Sequence, residues 1–212
     1  MAGMADRVRR DVKERMVRRS PKMAVALLIS VGAVWLSDAP LAQAENICEQ
    51  EMHRASARYG VPLGILYAVG LTETGRKNSL QPYAMNIEGK AEFPPSQSAA
   101  IRRFGEVRAE GAKLIDLGCM QINYHYHSQA FPSVAAMLMP SLNVDYAARF
   151  LKRLREREGN WTMAVARYHA GPNNDPAQKR YVCRVMANMV ATGFGNWTPQ
   201  ARSFCFSRDG LL

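Results

Sequence analysis

Residues 63–75 read Leu-Gly-Ile-Leu-Tyr-Ala-Val-Gly-Leu-Thr-Glu-Thr-Gly, and this stretch decides the fold. Pro62 stands immediately before it and suits the first turn of a helix, where a missing N–H is no loss. Gly75 stops it. The run is apolar on nearly every side, which marks the buried central helix of a domain rather than a surface helix. Its one charged side chain is Glu73, in the last turn. Leu66, Val69 and Glu73 follow i, i+3, i+7 spacing, so the carboxyl shares a face with core residues. Burial disfavours the charged form and raises the pKa, and the negative end of the helix dipole acts in the same sense. A carboxylic acid held protonated near neutral pH is a general acid. The plainer reading is an acid at a helix end, solvated or paired with Arg76.

The pattern around this helix is also mostly helical. Asn46 followed by Glu49 has the form of a capping box, opening a helix that runs to about Tyr59 and breaks at Gly60. Between Met85 and Lys90 the helical period gives way to alternation with a turn at Glu88-Gly89, which reads as a small hairpin. Ser96 caps a helix with Ile101, Phe104 and Val107 on one face. Leu114 to Asn123 reads as short and irregular. Three helices follow. The first is Asn143 to Glu158, with Val144, Ala147, Leu151 and Leu154 on one stripe. The others are Thr162 to Ala170 and Pro176 to Thr192, the latter carrying Tyr181, Val182, Val185 and Met189. The expected class is a helix-rich α+β single domain with a minimal β-hairpin sheet.

The chain has 212 residues, 48% of them apolar, and a net charge of +10. Such a composition excludes disordered, collagen-like and polytopic membrane chains. The charge is unevenly spread. The first 22 residues carry eight basic and three acidic side chains. An uncharged run, Met23 to Leu36, follows, and then the small-residue site Ala42-Gln43-Ala44. That order is a secretory signal peptide, residues 1–44, cut after Ala44. The apolar run is too short for the ~20 residues of a membrane span. Residues 45–212 form the expected domain, with 20 basic against 14 acidic residues. The protein is therefore expected in the periplasm or outside the cell.

All four cysteines (Cys48, Cys119, Cys183 and Cys205) lie after the leader. An even number in an exported chain points to two disulfides, and four cysteines allow three connectivities. The expected pairs are Cys48–Cys119 and Cys183–Cys205, the second because only 22 residues separate them.

Two further clusters carry chemistry. In Gly118-Cys119-Met120-Gln121-Ile122-Asn123, the amides of Gln121 and Asn123 can hydrogen-bond sugar hydroxyls or N-acetyl groups. Tyr124, His125, Tyr126 and His127 follow, and aromatic faces suit sugar rings. Arg167-Tyr168-His169-Ala170-Gly171 ends a helix and sets Tyr168 near its stop.

Taken in order, Glu73-Thr74-Gly75, Gly118 to Asn123, Tyr168-His169-Ala170-Gly171 and Tyr181 resemble the soluble lytic transglycosylase (SLT) domain, over roughly Ile47 to Met189. That family has a Glu-Ser pair, Gly-Leu-Met-Gln and Ala-Tyr-Asn-Ala-Gly at these places. Here Thr74 replaces the serine and keeps its hydroxyl, Cys119 replaces leucine, and His169 replaces asparagine.

The resemblance implies a lysozyme-like fold and cleavage of peptidoglycan glycan strands between N-acetylmuramic acid and N-acetylglucosamine, leaving a 1,6-anhydro end. It implies Glu73 as the single catalytic acid and base, without cofactor or metal. Thr74, Met120, Gln121, Asn123, Tyr168, His169 and Tyr181 would be the substrate-binding residues. One carboxyl then serves where most glycosidases use two. The domain is expected to act as a monomer. Its small size, without added modules, fits a role beside a secretion or conjugation apparatus.

Other readings remain beside it. A goose-type, hydrolytic muramidase needs a second carboxylate to hold water, with Asp116, Glu88 and Glu92 as candidates. A non-catalytic peptidoglycan-binding module of a secretion apparatus is a reading of a different class. A cysteine peptidase built on Cys119 with His125, His127 or His53 conflicts with oxidised cysteines. His125-x-His127 lacks the spacing of a zinc site. Arg149, Lys152, Arg153, Arg155 and Arg157 cluster on one helix, but Glu156 and Glu158 interrupt them. They read as a solvated face, not a nucleic-acid surface.

Overall fold

The computed structural model describes residues 46–76, 79–171 and 173–206. The expected signal peptide, residues 1–44, lies outside the described residues. Helix α1 (Ile47–Tyr59) opens where Asn46 Oδ1 accepts the Cys48 N–H at 2.9 Å, and it closes at Gly60 in the left-handed region. The Glu49 carboxylate accepts the Tyr67 hydroxyl at 3.0 Å, which ties α1 to the next helix. Helix α2 (Leu63–Thr74) follows Pro62 and stops at Gly75, as its sequence predicts. Leu66, Ala68 and Val69 are fully buried within it.

Strands β1 (Met85–Ile87) and β2 (Lys90–Glu92) form the expected hairpin. Its two turn residues, Glu88 (φ 50°) and Gly89 (φ 90°), both have positive φ, the turn whose twist matches paired strands. The Glu88 carboxylate accepts the N–H groups of Lys113 (2.7 Å) and Leu114 (3.0 Å), clamping the turn to the next strand. The sheet is larger than expected. The segment read as irregular supplies β3 (Ile115–Leu117) and β4 (Ile122–Asn123), and all pairs in the order β2-β1-β3-β4 are antiparallel. Ile115 and Leu117 are buried around Asp116, but three residues are too few to show a period of two.

Helix α3 (Gln97–Ala109) is capped by Ser96 and buries Phe104 and Val107. Two one-turn helices, α4 (Tyr124–His127) and α5 (Val134–Met137), lead to α6 (Pro140–Glu158). Helix α6 begins three residues before the expected start, with Pro140 in its first turn, and ends at Gly159. Helices α7 (Trp161–His169), α8 (Asp175–Ala191) and α9 (Pro199–Cys205) are capped by Asn160, Asn174 and Thr198. Helix α6 packs on α1 and α7, and α8 packs on α2 and α7. One core of side chains from α1, α2, α6, α7, α8 and the sheet results.

Two disulfides, Cys48–Cys119 and Cys183–Cys205, have the expected pairing. The first fastens α1 to the β3–β4 turn. The second holds α9 against α8. The oxidised Cys119 is also fully buried, so it offers no thiol for peptidase chemistry.

Candidate active site

The Glu73 side chain lies where the last turn of α2 meets the sheet, at a cleft of about 310 Å³. Burial pushes its carboxyl up to about 7. The Tyr181 hydroxyl opposes this by donating to Glu73 Oε1 at 2.5 Å, while the nearby Asp116 charge reinforces it and Arg184 opposes it. The pairing with Arg76 is replaced by another contact: the Arg76 guanidinium lies over the Phe93 ring, 4.9 Å from its centre.

The β3–β4 turn reaches the cleft because Asn143 of α6 holds it from below. This side chain is fully buried and its amide is used in full. Oδ1 accepts the Met120 N–H at 2.9 Å, and Nδ2 donates to the carbonyls of Leu117 and Met137, each at 2.8 Å. Gly118 has φ 80°, and a Cβ on it would stand 2.6 Å from Asn143 Nδ2, so only glycine fits. Gln121 follows with φ 45°. Its Nε2 donates to the carbonyls of Ala84 (3.0 Å) and Gly118 (3.1 Å), leaving Oε1 as the acceptor the amide can offer to a ligand.

Three side chains from adjacent strands stand abreast in the cleft. Asn86 on β1 is in register with Asp116 on β3, which is in register with Asn123 on β4. Asn123 Nδ2 donates to Asp116 Oδ1 at 2.7 Å. Burial raises the Asp116 carboxyl, and this hydrogen bond lowers it. Asn86 lines the cleft, and its Oδ1 is buried without a hydrogen-bond partner among the described residues.

Aromatic side chains complete the lining: Tyr126, His127, Phe150 and Tyr168, beside His169. Tyr168 donates to the Met120 carbonyl at 2.8 Å, fixing its ring. Tyr146 and His127 Nδ1 are hydrogen-bonded at 2.9 Å. The His169 ring lies flat on Tyr181, with centres 4.2 Å apart and planes 2° from parallel. Burial holds His169 below the usual histidine range, with Arg184 and Arg180 adding to the effect.

Compared with protein-family models, residues 50–188 match the transglycosylase SLT domain, well over half of the chain. The chain belongs to the transglycosylase SLT family. No curated protein and no solved structure matches it. Its mostly helical α+β architecture, with a small antiparallel sheet, is the lysozyme-like arrangement expected of an SLT domain. Members of this family are in general lytic transglycosylases, and their substrate is peptidoglycan.

Within the SLT domain, Glu73, Gln121, Asn123, Tyr168 and His169 line the cleft together. Three other expected substrate contacts are placed differently. The Met120 side chain is fully buried in the core, and only its backbone takes part, through Asn143 and Tyr168. Thr74 is buried, with Oγ1 3.1 Å from the Gly70 carbonyl and 3.4 Å from both the Cys119 carbonyl and the Gln81 N–H. Its hydroxyl joins α2 to the β3–β4 turn, and Thr74 does not line the cleft. Tyr181 is also buried, and its hydroxyl meets Glu73.

Of the three carboxylates considered for holding water, Glu88 caps backbone N–H groups and Glu92 pairs with Arg103 at 2.9 Å. Asp116 is the one in the cleft. Tyr126 and His127, two of the aromatic residues expected to suit sugar rings, line the cleft, whereas Asn86 and Phe150 were not legible as site residues, because only strand pairing and helix packing bring them there.

Proposed function

We propose that the protein is a peptidoglycan lytic transglycosylase. It cleaves the β-1,4 bond between N-acetylmuramic acid and N-acetylglucosamine and leaves a 1,6-anhydro-muramoyl end. The reading rests on one observation above all: a half-buried carboxyl pushed up to about 7, Glu73, held by Tyr181 at the cleft of an SLT domain. Near neutral pH such a group donates and accepts a proton with similar ease, as a single acid and base must.

Glu73 protonates the leaving glycosidic oxygen as the C1–O bond breaks. The N-acetyl group of the muramyl residue stabilises the anomeric centre. The Glu73 carboxylate then takes the proton of the C6 hydroxyl as O6 bonds to C1. The proton given in the first step is recovered in the second, and no water is consumed. The Gln121 carbonyl oxygen is an acceptor suited to the N-acetyl N–H or to a sugar hydroxyl. Phe150, Tyr126 and Tyr168 supply apolar faces for sugar rings. The enzyme acts as a monomer in the periplasm or outside the cell, once the leader is cut near Ala44.

Digestion of isolated peptidoglycan with mass analysis of the products tests this. Wild type should give ends one water lighter than reducing ends. Glu73→Gln should lose activity by about 10²–10⁴-fold or more. A Glu73→Gln variant with wild-type activity sinks the assignment.

Asp116 in the same cleft favours one second reading, hydrolysis, in which it holds the attacking water. That reading requires Asp116→Asn to abolish turnover. The transglycosylase reading requires only a shifted pH profile.

A further inference from the structure

The charges around the cleft are arranged by depth. Glu73 and Asp116 lie inside it. Arginines stand outside it, on α6 and α8, the two helices that pack against α7. The exposed Arg153 guanidinium sits 5.7 Å from the centre of the Phe150 ring, and Phe150 lines the cleft. Arg153 also acts with burial to lower the basicity of His127, another lining residue. On α8, the exposed Arg184 lies 6.0 Å from the centre of the Tyr181 ring. Arg180, one turn earlier and also exposed, acts with Arg184 on His169.

None of these three arginines has a carboxylate partner among the described residues. Arg149, one turn before Arg153, is by contrast committed to Asp145 at 2.9 Å. The rim therefore presents uncommitted guanidinium groups, whose planar donor fork suits carboxylates.

We propose that Arg153, Arg180 and Arg184 form a carboxylate-binding rim for the stem peptides of the glycan strand lying in the cleft. This rests on the peptidoglycan reading and adds to it which part of the polymer is recognised outside the sugars. The stem peptides branch from the muramyl residues, next to the bond to be cut. The cleft offers these carboxylates Glu73 and Asp116 and no cation, so their complement lies outside it, with the three arginines. The chemistry recognised is an acidic peptide attached to an uncharged amino-sugar chain.

The test is co-sedimentation with isolated insoluble peptidoglycan, in a Glu73→Gln background so that binding is read without cleavage. Two forms of the wall are compared: native, and one whose carboxyls have been converted to methylamides. On native wall, Arg153→Gln with Arg180→Gln should weaken binding about threefold per arginine and about tenfold together, the scale of exposed ion pairs. Arg153→Lys with Arg180→Lys keeps both charges but loses the donor fork, and should bind between the parent and the glutamine variant. On methylamidated wall, all three proteins should bind alike and more weakly than the parent binds native wall. The rim is overturned if the glutamine variant binds native wall as tightly as the parent, or if its loss is as large on methylamidated wall. A parent that binds neither wall contradicts the peptidoglycan reading itself, so the two failures are distinct.

Discussion

The Tyr181 hydroxyl donates to Glu73 Oε1 at 2.5 Å across 108 residues of sequence, joining the end of α2 to the middle of α8. It is placed to steady the carboxylate without ionising: burial and the neighbouring Glu73 charge push the Tyr181 phenol well above its ordinary value. Burial favours the neutral Glu73 acid, the hydrogen bond favours its anion, and the balance lies at about 7.

Tyr181→Phe removes the bond that favours the anion. The pH above which activity falls should move upward, because the acid then stays protonated longer. The anion that must accept the second proton is less stable, so kcat should drop about 10–100-fold, as for other bonds to charged groups. A pH–rate profile of wild type and variant checks both.

Two more substitutions should move the same alkaline limb in opposite directions. Asp116→Asn removes a charge that raises Glu73, so the limb moves down in pH. Arg184→Gln removes a charge that lowers it, so the limb moves up. Shifts of the same sign in both variants would contradict this electrostatic account.

The catalytic carboxyl should also cost the fold stability above neutral pH. An acid raised from 4.5 to about 7 by folding binds its proton more tightly in the native state, so stability falls as pH rises through that window. Glu73→Gln should therefore be more stable than wild type at pH 8, by roughly 3 kcal/mol at most from the conversion of pKa shift to energy. At pH 4 the difference should vanish. Denaturant titrations at the two pH values measure it.

Asn143 should matter more than its position suggests. Asn143→Ala leaves the Met120 N–H and the Leu117 and Met137 carbonyls without their partner. A loss of about 3 kcal/mol or more is expected at the cost of buried unsatisfied groups. Activity should fall with it, since the turn carrying Gln121 loses its support. Urea unfolding beside a turnover assay tests the pair of effects.

Asn143 also illustrates what the sequence conceals. The apolar stripe of Val144, Ala147, Leu151 and Leu154 starts beside it, and α6 was expected to begin there. The helix begins at Pro140, and the same amide is spent on three backbone groups from other segments. By contrast α2 was legible end to end, because an apolar run between Pro62 and Gly75 has few alternatives. The hairpin was legible at Glu88-Gly89, where the turn demands positive φ. Strands β3 and β4 were not, since three and two residues carry no usable period. With them went the row of Asn86, Asp116 and Asn123, which exists only through strand register. Glu73 stood out because a lone charge on a buried face is rare. Thr74 and Met120 lie buried outside the cleft lining, because a motif names residues without saying which way they face.

In the proposed reaction Glu73 recycles one proton and water takes no part. Digestion of peptidoglycan in heavy-oxygen water tests it most directly. New chain ends should carry a 1,6-anhydro ring and no heavy oxygen, and Glu73→Gln should produce none. Heavy oxygen at C1 of the new muramoyl ends would rule out this proton recycling and identify a hydrolase.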